Sequence, residues 1–352
     1  MNAARPLEPE LRALLAHWHA IAAIDAAARA PLVPADSATD AALERIVIHD
    51  ADGRMARYVV KRLTPLGDWL ARATADRHMR EHQLAASELF NNLPDGVGVA
   101  SLGSVLLADG RAALLMRDVA QQIPAAGNSS LTRAQLRLAM NGLARLHTHF
   151  AGMSAARTAP LGLQSLESWL TPLAPRTARR EASHVPRDRF TPLILPGWRA
   201  FAALAPDAWA LIEPLLDDPT PLANALRQLP ATLVHGDTKA TNLAFEGQTL
   251  SLLDWSTTTV GPGALDPAWF VCINAARLPI MQTDVLELYR AERARLGTLP
   301  ANGAAWQREL ALALLTSTMR LGWLKALHAQ RDGDLAEVTY WAEAALAARQ
   351  WL

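Results

Sequence analysis

The strongest constraint on the fold of this chain is a pair of Asp-Gly dipeptides, Asp52-Gly53 and Asp109-Gly110, each set between two apolar runs. An Asp-Gly pair supplies the left-handed turn that a tight hairpin needs, so "RIVIHDADGRMARYVVKRL" and "SVLLADGRAALLMRDV" both predict two antiparallel strands. Between them, "DWLARATADRHMREHQLAASELF" lacks Pro and Gly and is rich in helix formers, which predicts one long helix. Residues from about 40 to 118 therefore read as a small antiparallel sheet carrying that helix. Upstream, the apolar stretch Leu11 to Val33 contains His17, His19, Asp25 and Arg29. It reads as an amphipathic helix and is poorly suited to spanning a bilayer.

After "QQIPAAGNSS" the pattern becomes mainly helical. Thr132 and Gln135 have the spacing of a capping box, and Leu136, Met140, Leu143 and Leu146 follow at helical intervals. "TPLAPRTARREASHVPRDRFTPL" interrupts the helical pattern and reads as a loop. The last 80 or so residues, including "ELALALLTSTMRLGWLKALHAQ", return to helix, and no repeat at solenoid periods occurs. The expected division is a sheet-bearing lobe over 1–118 and a larger helical lobe over 119–352.

Several function classes are disfavoured by composition. The 352 residues include 34 basic and 34 acidic side chains, so net charge favours neither nucleic acid nor an anionic membrane as partner. The one cysteine, Cys272, excludes an intrachain disulfide framework and a cysteine-built zinc site. With no secretory pattern at the N-terminus, a reducing cytoplasm is the expected location.

Two polar islands punctuate the helical lobe, "ATLVHGDTKATN" and "TLSLLDWSTTT", each preceded by an apolar run. Apolar strands that end in Asp-bearing turns place carboxylates at the rim of a cleft. Asp237, Asn242 and Asp254 offer the hard oxygens that magnesium (Mg2+) prefers, so a nucleotide-magnesium site follows. Their order matches a phosphoryl-transfer arrangement: a catalytic Asp, an Asn five residues on, a metal-binding Asp further on, and an upstream strand lysine paired with a helix glutamate. In these roles Asp237 takes or orients the proton of a substrate hydroxyl, while Asn242 and Asp254 hold magnesium on the phosphates of ATP. Lys61 contacts the α- and β-phosphates, and Glu81 fixes its direction. "LLMRDVA", with Arg117, Asp118 and Val119, falls where a hinge presents backbone groups to adenine.

With these residues, the chain resembles the aminoglycoside phosphotransferase and choline kinase family of small-molecule kinases. "HGDTKATN" matches that family's H-G-D-x-x-x-x-N, and "LLDWSTTTVGPGALDPAWF" matches its Asp-Trp motif with a second Asp, Asp266, twelve residues after Asp254. "GLARLHTHF" and "ALLMRDV" are similar to the family's preceding helix and hinge. The resemblance runs from roughly Ile46 to Phe270. It implies an α+β, protein-kinase-like bilobal fold, ATP and magnesium as cofactors, and a small hydroxylated acceptor such as a sugar, amino alcohol or aminoglycoside-like compound. It also implies that His235 buttresses the catalytic loop and that Asp266 ties the metal loop to the next helix. Lys239 sits where protein kinases keep a lysine near the transferring phosphoryl group, so it joins the nucleotide-binding set, with the direction it faces left open.

No G-x-G-x-x-G precedes Lys61, and the phosphate-covering loop falls to "PADSATD", with Ser37 and Thr39 as side-chain donors. Only "WSTTTVGPGAL" separates Asp254 from Asp266, too little chain for the activation segment of a protein kinase. A nucleotide-binding pseudoenzyme or regulatory module with kinase architecture is the competing reading, although every polar role is filled. For the acceptor, Arg176, Arg179, Arg180, Arg187 and Arg189 read as a solvated loop or as a meeting place for an anion. Trp306, Trp323 and Trp341 read as core or as an aromatic cage for a quaternary ammonium.

Overall fold

The computed structural model describes residues 6–32, 42–50, 52–125, 129–154, 158–184, 190–299 and 302–352. A five-stranded antiparallel sheet of order β1-β2-β3-β6-β5 is built from β1 Ala28–Leu32, β2 Ala42–His49, β3 Met55–Leu63, β5 Ser101–Leu106 and β6 Ala112–Arg117. Both Asp-Gly pairs make the hairpins expected of them, with Gly53 at φ +77° and Gly110 at φ +82°. The outer face of this sheet buries Ile46, Ile48, Val60 and Leu115 against Leu11, Leu15 and Ile24. A short strand, β4 Val97–Val99, leaves this region and pairs in parallel with β9 Thr249–Leu252, which also pairs with β8 Leu243–Glu246.

Two helices expected from the sequence are broken. The Leu11 to Val33 stretch is α1 Pro9–Leu15, α2 Ile21–Asp25 and strand β1. Its tail leaves the helical pattern because pairing with β2 satisfies its backbone and sets Arg29 on Glu44 at 2.8 Å. Val33 itself lies outside the described residues. The single long helix predicted between the hairpins is α3 Trp69–Ala73 and α4 Arg80–Ala85. Asp68 caps the first through the N–H of Ala71, the carboxylate of Asp76 takes the N–H of Arg80, and Ala75 and Met79 between them have positive φ. Buried contacts override helix propensity here: Arg80 Nε donates to the carbonyl of Gly162 at 2.9 Å, and its Nη1 donates to that of Ser256.

The rest of the chain packs around one large core. α5 Arg133–His149 begins with the Thr132–Gln135 capping box and buries Leu136, Met140, Leu143 and Leu146. The expected loop after Leu170 contains a helix, because Pro175 stands at a helix N-terminus where its missing N–H costs nothing. The helices in order are α6 Leu166–Leu170, α7 Pro175–Glu181, α8 Thr191–Leu204, α9 Pro206–Asp217, α10 Thr220–Arg227, α11 Leu265–Ile273, α12 Gln282–Arg295, α13 Gly303–Asp332 and α14 Ala336–Ala347. A two-stranded ribbon pairs β7 Ala231–Val234 with β10 Thr259–Pro262. Helix α13 is long and apolar enough to cross a bilayer by length and composition, yet 72% of its most apolar window is buried inside the protein. It is the central core helix, packed on α8, α11 and α14.

The tryptophans weighed as an aromatic cage are core residues: Trp306, Trp323 and Trp341 are all buried. Among the arginines after α6, Arg176 donates to the carbonyl of Asp217 and Arg180 pairs with Glu181, as on a solvated surface. Arg187 and Arg189 lie outside the described residues, as do Ser37 and Thr39. Cys272 is buried, and burial pushes its thiol up to about 12.

Candidate active site

Strand β7 ends at Val234, and the chain then turns through Gly236 at φ +86°. A Cβ there would stand 2.5 Å from the carbonyl oxygen of Thr257 and 2.6 Å from Trp169 Nε1, so conformation and space both require glycine. The turn is held by the fully buried carboxylate of Asp266, in the first turn of α11. Its Oδ2 accepts the N–H of His235 at 2.8 Å and lies 3.0 Å from His147 Nε2, while its Oδ1 accepts the N–H of Gly236 at 2.8 Å. Burial alone would raise this carboxyl, but the bond from His147 and those backbone N–H groups hold it below the usual range. Asn274, at the other end of α11, accepts from Ala240 N and donates to the carbonyl of Thr238. Asp266 thus staples the turn around Gly236 rather than the loop after Asp254, which corrects the expected tether. Its position at the start of α11 faces the end of β7, where two orphan N–H groups need an acceptor.

His235 is buried with its ring edge-on to Trp255, 4.8 Å between centroids, and burial pushes its pKa down. Beyond it, the two oxygens of Asp237 face different neighbours. Oδ2 accepts from Asn242 Nδ2 at 3.0 Å and lies 3.3 Å from Lys239 Nζ, which settles the direction of that lysine. Oδ1 accepts from the indole Nε1 of Trp269 at 3.0 Å.

Strand β9 delivers Asp254, a non-glycine residue at φ 61°, a conformation kept only where its surroundings fix it. Its Oδ1 accepts from Lys61 Nζ at 2.9 Å and from Ser256 Oγ at 2.8 Å. Lys61, on β3 opposite Leu114, also donates to Glu81 Oε2 at 2.7 Å. The other oxygen of Glu81 takes the N–H of Trp255 at 3.3 Å, so one helix residue orients both the lysine and the loop after Asp254. Burial would push the Lys61 ammonium down, but the charges of Asp254 and Glu81 hold it above its ordinary value. Burial would likewise raise Asp254, yet Lys61 and Lys239 hold its carboxyl well below the usual range. Lys239, against the same burial, is raised by Asp237 and Asp254. These two cations and three carboxylates form one coupled cluster.

The donor set suits a hard divalent cation. Asn242 spends its N–H groups on Asp237, and neither Asn242 Oδ1 nor Asp254 Oδ2 has a hydrogen-bond partner among the described residues. No group of three or more His, Cys, Asp or Glu that could cage a metal occurs among them. Magnesium characteristically binds through one or two protein oxygens plus phosphates.

At the hinge, the Arg117 guanidinium pairs with Glu246 at 2.6 Å and Asp118 pairs with Arg45 at 2.7 Å, so both side chains are committed elsewhere. Val119 is buried in an apolar cluster with Leu114, Met116 and Ala244, against which Leu43, Val59 and Leu253 pack. Sequence motifs did not point to Trp269, to Ser256, or to Arg320, whose Nη1 donates to the carbonyl of Gly236 at 3.1 Å from α13. Trp269 had one available signal, its place one helical turn after Asp266.

A family model described as "phosphotransferase enzyme family" matches residues 40–312. Among solved structures, the chain is similar to an ethanolamine kinase of Plasmodium vivax, at 14% identity over 97% of this chain and 89% of that one, with a TM-score of 0.48. The choline kinase LicA from Streptococcus pneumoniae is 10% identical over 91% and 92%, with a TM-score of 0.46. A thermostable mutant of aminoglycoside phosphotransferase APH(4)-Ia is 12% identical over 92% and 94%, also at 0.46. No curated protein matches the sequence.

Proposed function

The chain belongs to the phosphotransferase enzyme family, and from that premise we propose that this small-molecule kinase transfers the γ-phosphate of ATP, with magnesium, to a hydroxyl of a sugar, an amino alcohol or an aminoglycoside-like compound. The observation that supports this most is the Lys61–Asp254 contact at 2.9 Å between groups 193 residues apart, with Glu81 on the same ammonium. In this reading residues 1–118 hold the nucleotide, and 119–352 carry the catalytic and metal loops and the acceptor-binding helices. The cytoplasm is the assigned compartment.

The hydroxyl oxygen of the acceptor bonds to the γ-phosphorus, the bond from that phosphorus to the β–γ bridging oxygen breaks, and ADP leaves. Asp237 receives the hydroxyl proton. Asn242 and Trp269 hold the Asp237 carboxylate in place, so that orientation is settled before the acceptor arrives. Lys61 turns its ammonium toward the phosphates, and Lys239, beside Asp237, faces the charge that develops on the moving phosphoryl group. Asn242 Oδ1 and Asp254 Oδ2 are the atoms assigned to magnesium, which when bound supplies charge neutralisation along the phosphates. Leu43, Val59, Ala244 and Leu253 would supply the apolar contacts for adenine, and the backbone of 117–119 the polar ones.

Asp237→Asn tests this reading. The variant is expected to bind magnesium-ATP as the wild type does and to release ADP about 10²- to 10⁴-fold more slowly, the range for losing a general base. Unchanged turnover removes Asp237 from the role. Magnesium-ATP binding with no ADP release across alcohols of every charge class favours the pseudoenzyme.

A further inference from the structure

Residues 64–79 join the end of β3 to α4 and make a unit of their own. Of the four non-glycine residues with positive φ among the described residues, three lie here, Leu66, Ala75 and Met79, each at φ 52°, and the fourth is Asp254. Such backbone persists only where its surroundings fix it, and it gathers at active sites, clamps and switches. Hydrogen bonds run inside the segment, from Leu66 N to the carbonyl of Asp76 at 3.4 Å, from Gly67 N to that of Thr64 at 2.9 Å and from Asp76 N to that of Ala71 at 2.8 Å. Leu66, Leu70 and Met79 belong to none of the three apolar clusters of the described residues. A self-contained backbone with few shared apolar contacts marks a segment that opens as a unit more readily than the core.

Its surroundings are firmer. Leu63 on β3 pairs with Ala112, and Arg80 on α4 donates to the carbonyls of Gly162 and Ser256, so the segment is suspended between two fixed points. It walls a cavity of about 200 Å³ lined by Asp68, Leu70 and Ala71 of the segment and by Lys61, Asp254 and Ser256. Asp68 caps α3 through the N–H of Ala71 and lies in the field of Lys61 and Asp254. Its carboxylate therefore answers to the charge that occupies that pair: it is drawn toward a divalent cation and repelled by bare phosphates. Elsewhere on α3, Arg72 Nε donates to Oε2 of Glu181 on α7 at 2.8 Å. Among the described residues this is the one ion pair that ties the segment to the helices around the large core. The Glu181 side chain is 1% exposed and that of Arg72 24%, so water screens the pair only in part.

We propose that residues 64–79 are a strap over the phosphate end of the nucleotide site, latched shut by Arg72 on Glu181 and hinged at Leu66 on one side and at Ala75 and Met79 on the other. The inference rests on the kinase reading and adds to it the step that lets product go. With the latch made, α3 walls the cavity beside Lys61 and Asp254. With the latch broken, the strap turns about its strained ends and the cavity opens to solvent, the path by which ADP leaves. Asp68 links the latch to the contents of the site, because closure is favoured while a cation holds charge near Asp254 and disfavoured once it has gone.

The test follows dissociation of fluorescently labelled ADP from the full chain with magnesium, chased by excess unlabelled ADP. Arg72→Gln is expected to speed dissociation roughly 3- to 30-fold, between the effect of an exposed ion pair and that of a charged hydrogen bond, and Arg72→Lys much less. Arg180 stays on Oε1 of Glu181 at 3.2 Å in both variants, so the buried carboxylate keeps a partner. Amides of 64–79 should exchange with deuterium faster in ligand-free Arg72→Gln than in the wild type, while those of α5 do not change. A double variant, Arg72→Cys with Glu181→Cys, closed by a short bis-maleimide, should retain the label. Cys272 does not compete, being buried with its thiol pushed up to about 12. A folded Arg72→Gln that releases label at the wild-type rate overturns the inference. Wild-type deuterium exchange across 64–79 overturns it equally, as does a cross-linked protein that releases label as fast as before cross-linking. Those results leave the kinase reading standing. If labelled ADP does not bind with magnesium at all, the kinase reading fails and the strap falls with it.

Discussion

Trp269 donates its indole N–H to Oδ1 of Asp237 at 3.0 Å, while Asn242 donates to Oδ2 of the same carboxylate at 3.0 Å. The carboxylate of the proposed base is therefore gripped from both sides, by the loop it belongs to and by helix α11.

Trp269→Phe keeps the ring against Arg320 and removes only the donor. Hydrogen bonds to charged groups contribute about 1.5–3 kcal/mol, so kcat is expected to fall roughly 10- to 100-fold. The KM for ATP should not change, because the bond is made to Oδ1, away from Asn242 and Lys239 at Oδ2. Steady-state kinetics with both substrates varied separates the two, and an equal change in both KM values removes Trp269 from this role.

Asp254→Ala strips a carboxylate that holds Lys61 and is assigned to magnesium. Calorimetric titration of magnesium-ATP is expected to show affinity reduced about tenfold or more. Binding of ATP without the metal should change far less. An unaltered magnesium dependence places the metal elsewhere.

Gly236→Ala meets a backbone carbonyl that cannot yield, at 2.5 Å, in a conformation with φ +86°. The combined strain and overlap are expected to lower stability by about 1–3 kcal/mol. Activity should fall further than stability, since Asp237 is the next residue. Urea unfolding checks the first effect and ADP release the second.

His235 is buried with its pKa pushed below 6.5. Below that value the unfolded chain binds a proton that the folded protein refuses, so stability is full above about pH 6.5 and declines as pH falls. The slope from this site approaches about 1.4 kcal/mol per pH unit. Asp254 and Asp266, whose pKa values are lowered, act in the same direction but only below about 3.8. Urea midpoints at pH 7.5, 6.5 and 5.5 should therefore decline in the wild type and decline less in His235→Asn.

Much of this site was legible because its members sit in short motifs whose local turns carry them. Asp237 and Asn242 share one loop, Asp254 ends an apolar strand, and Lys61 closes a hairpin strand flanked by Asp-Gly. Arg320 was not legible, because it reaches Gly236 from 84 residues away along a core helix whose apolar pattern hides three buried charged residues, Glu309, Arg320 and Lys325. The lone helix expected between the hairpins failed for a related reason. Asp68 and Asp76 fall within the stretch expected to be one helix, yet in the fold their carboxylates accept N–H groups at the starts of two separate helices. Asp266 follows the loop after Asp254 in sequence and holds the turn before Asp237 in space, a distinction that only the pairing of β7 with β10 decides.

Helix α13 begins at Gly303, inside the matched family region that ends at 312, and runs on to Asp332. Arg320 therefore lies on the part of that helix past the matched region, while Asp237, Asn242 and Asp254 lie within it. One continuous helix thus carries the bond from Arg320 to the carbonyl of Gly236 into the matched region from beyond its end. A chimera that exchanges residues after 312 for those of a relative should keep magnesium-ATP binding and lose turnover where the incoming helix lacks a donor to the carbonyl of Gly236.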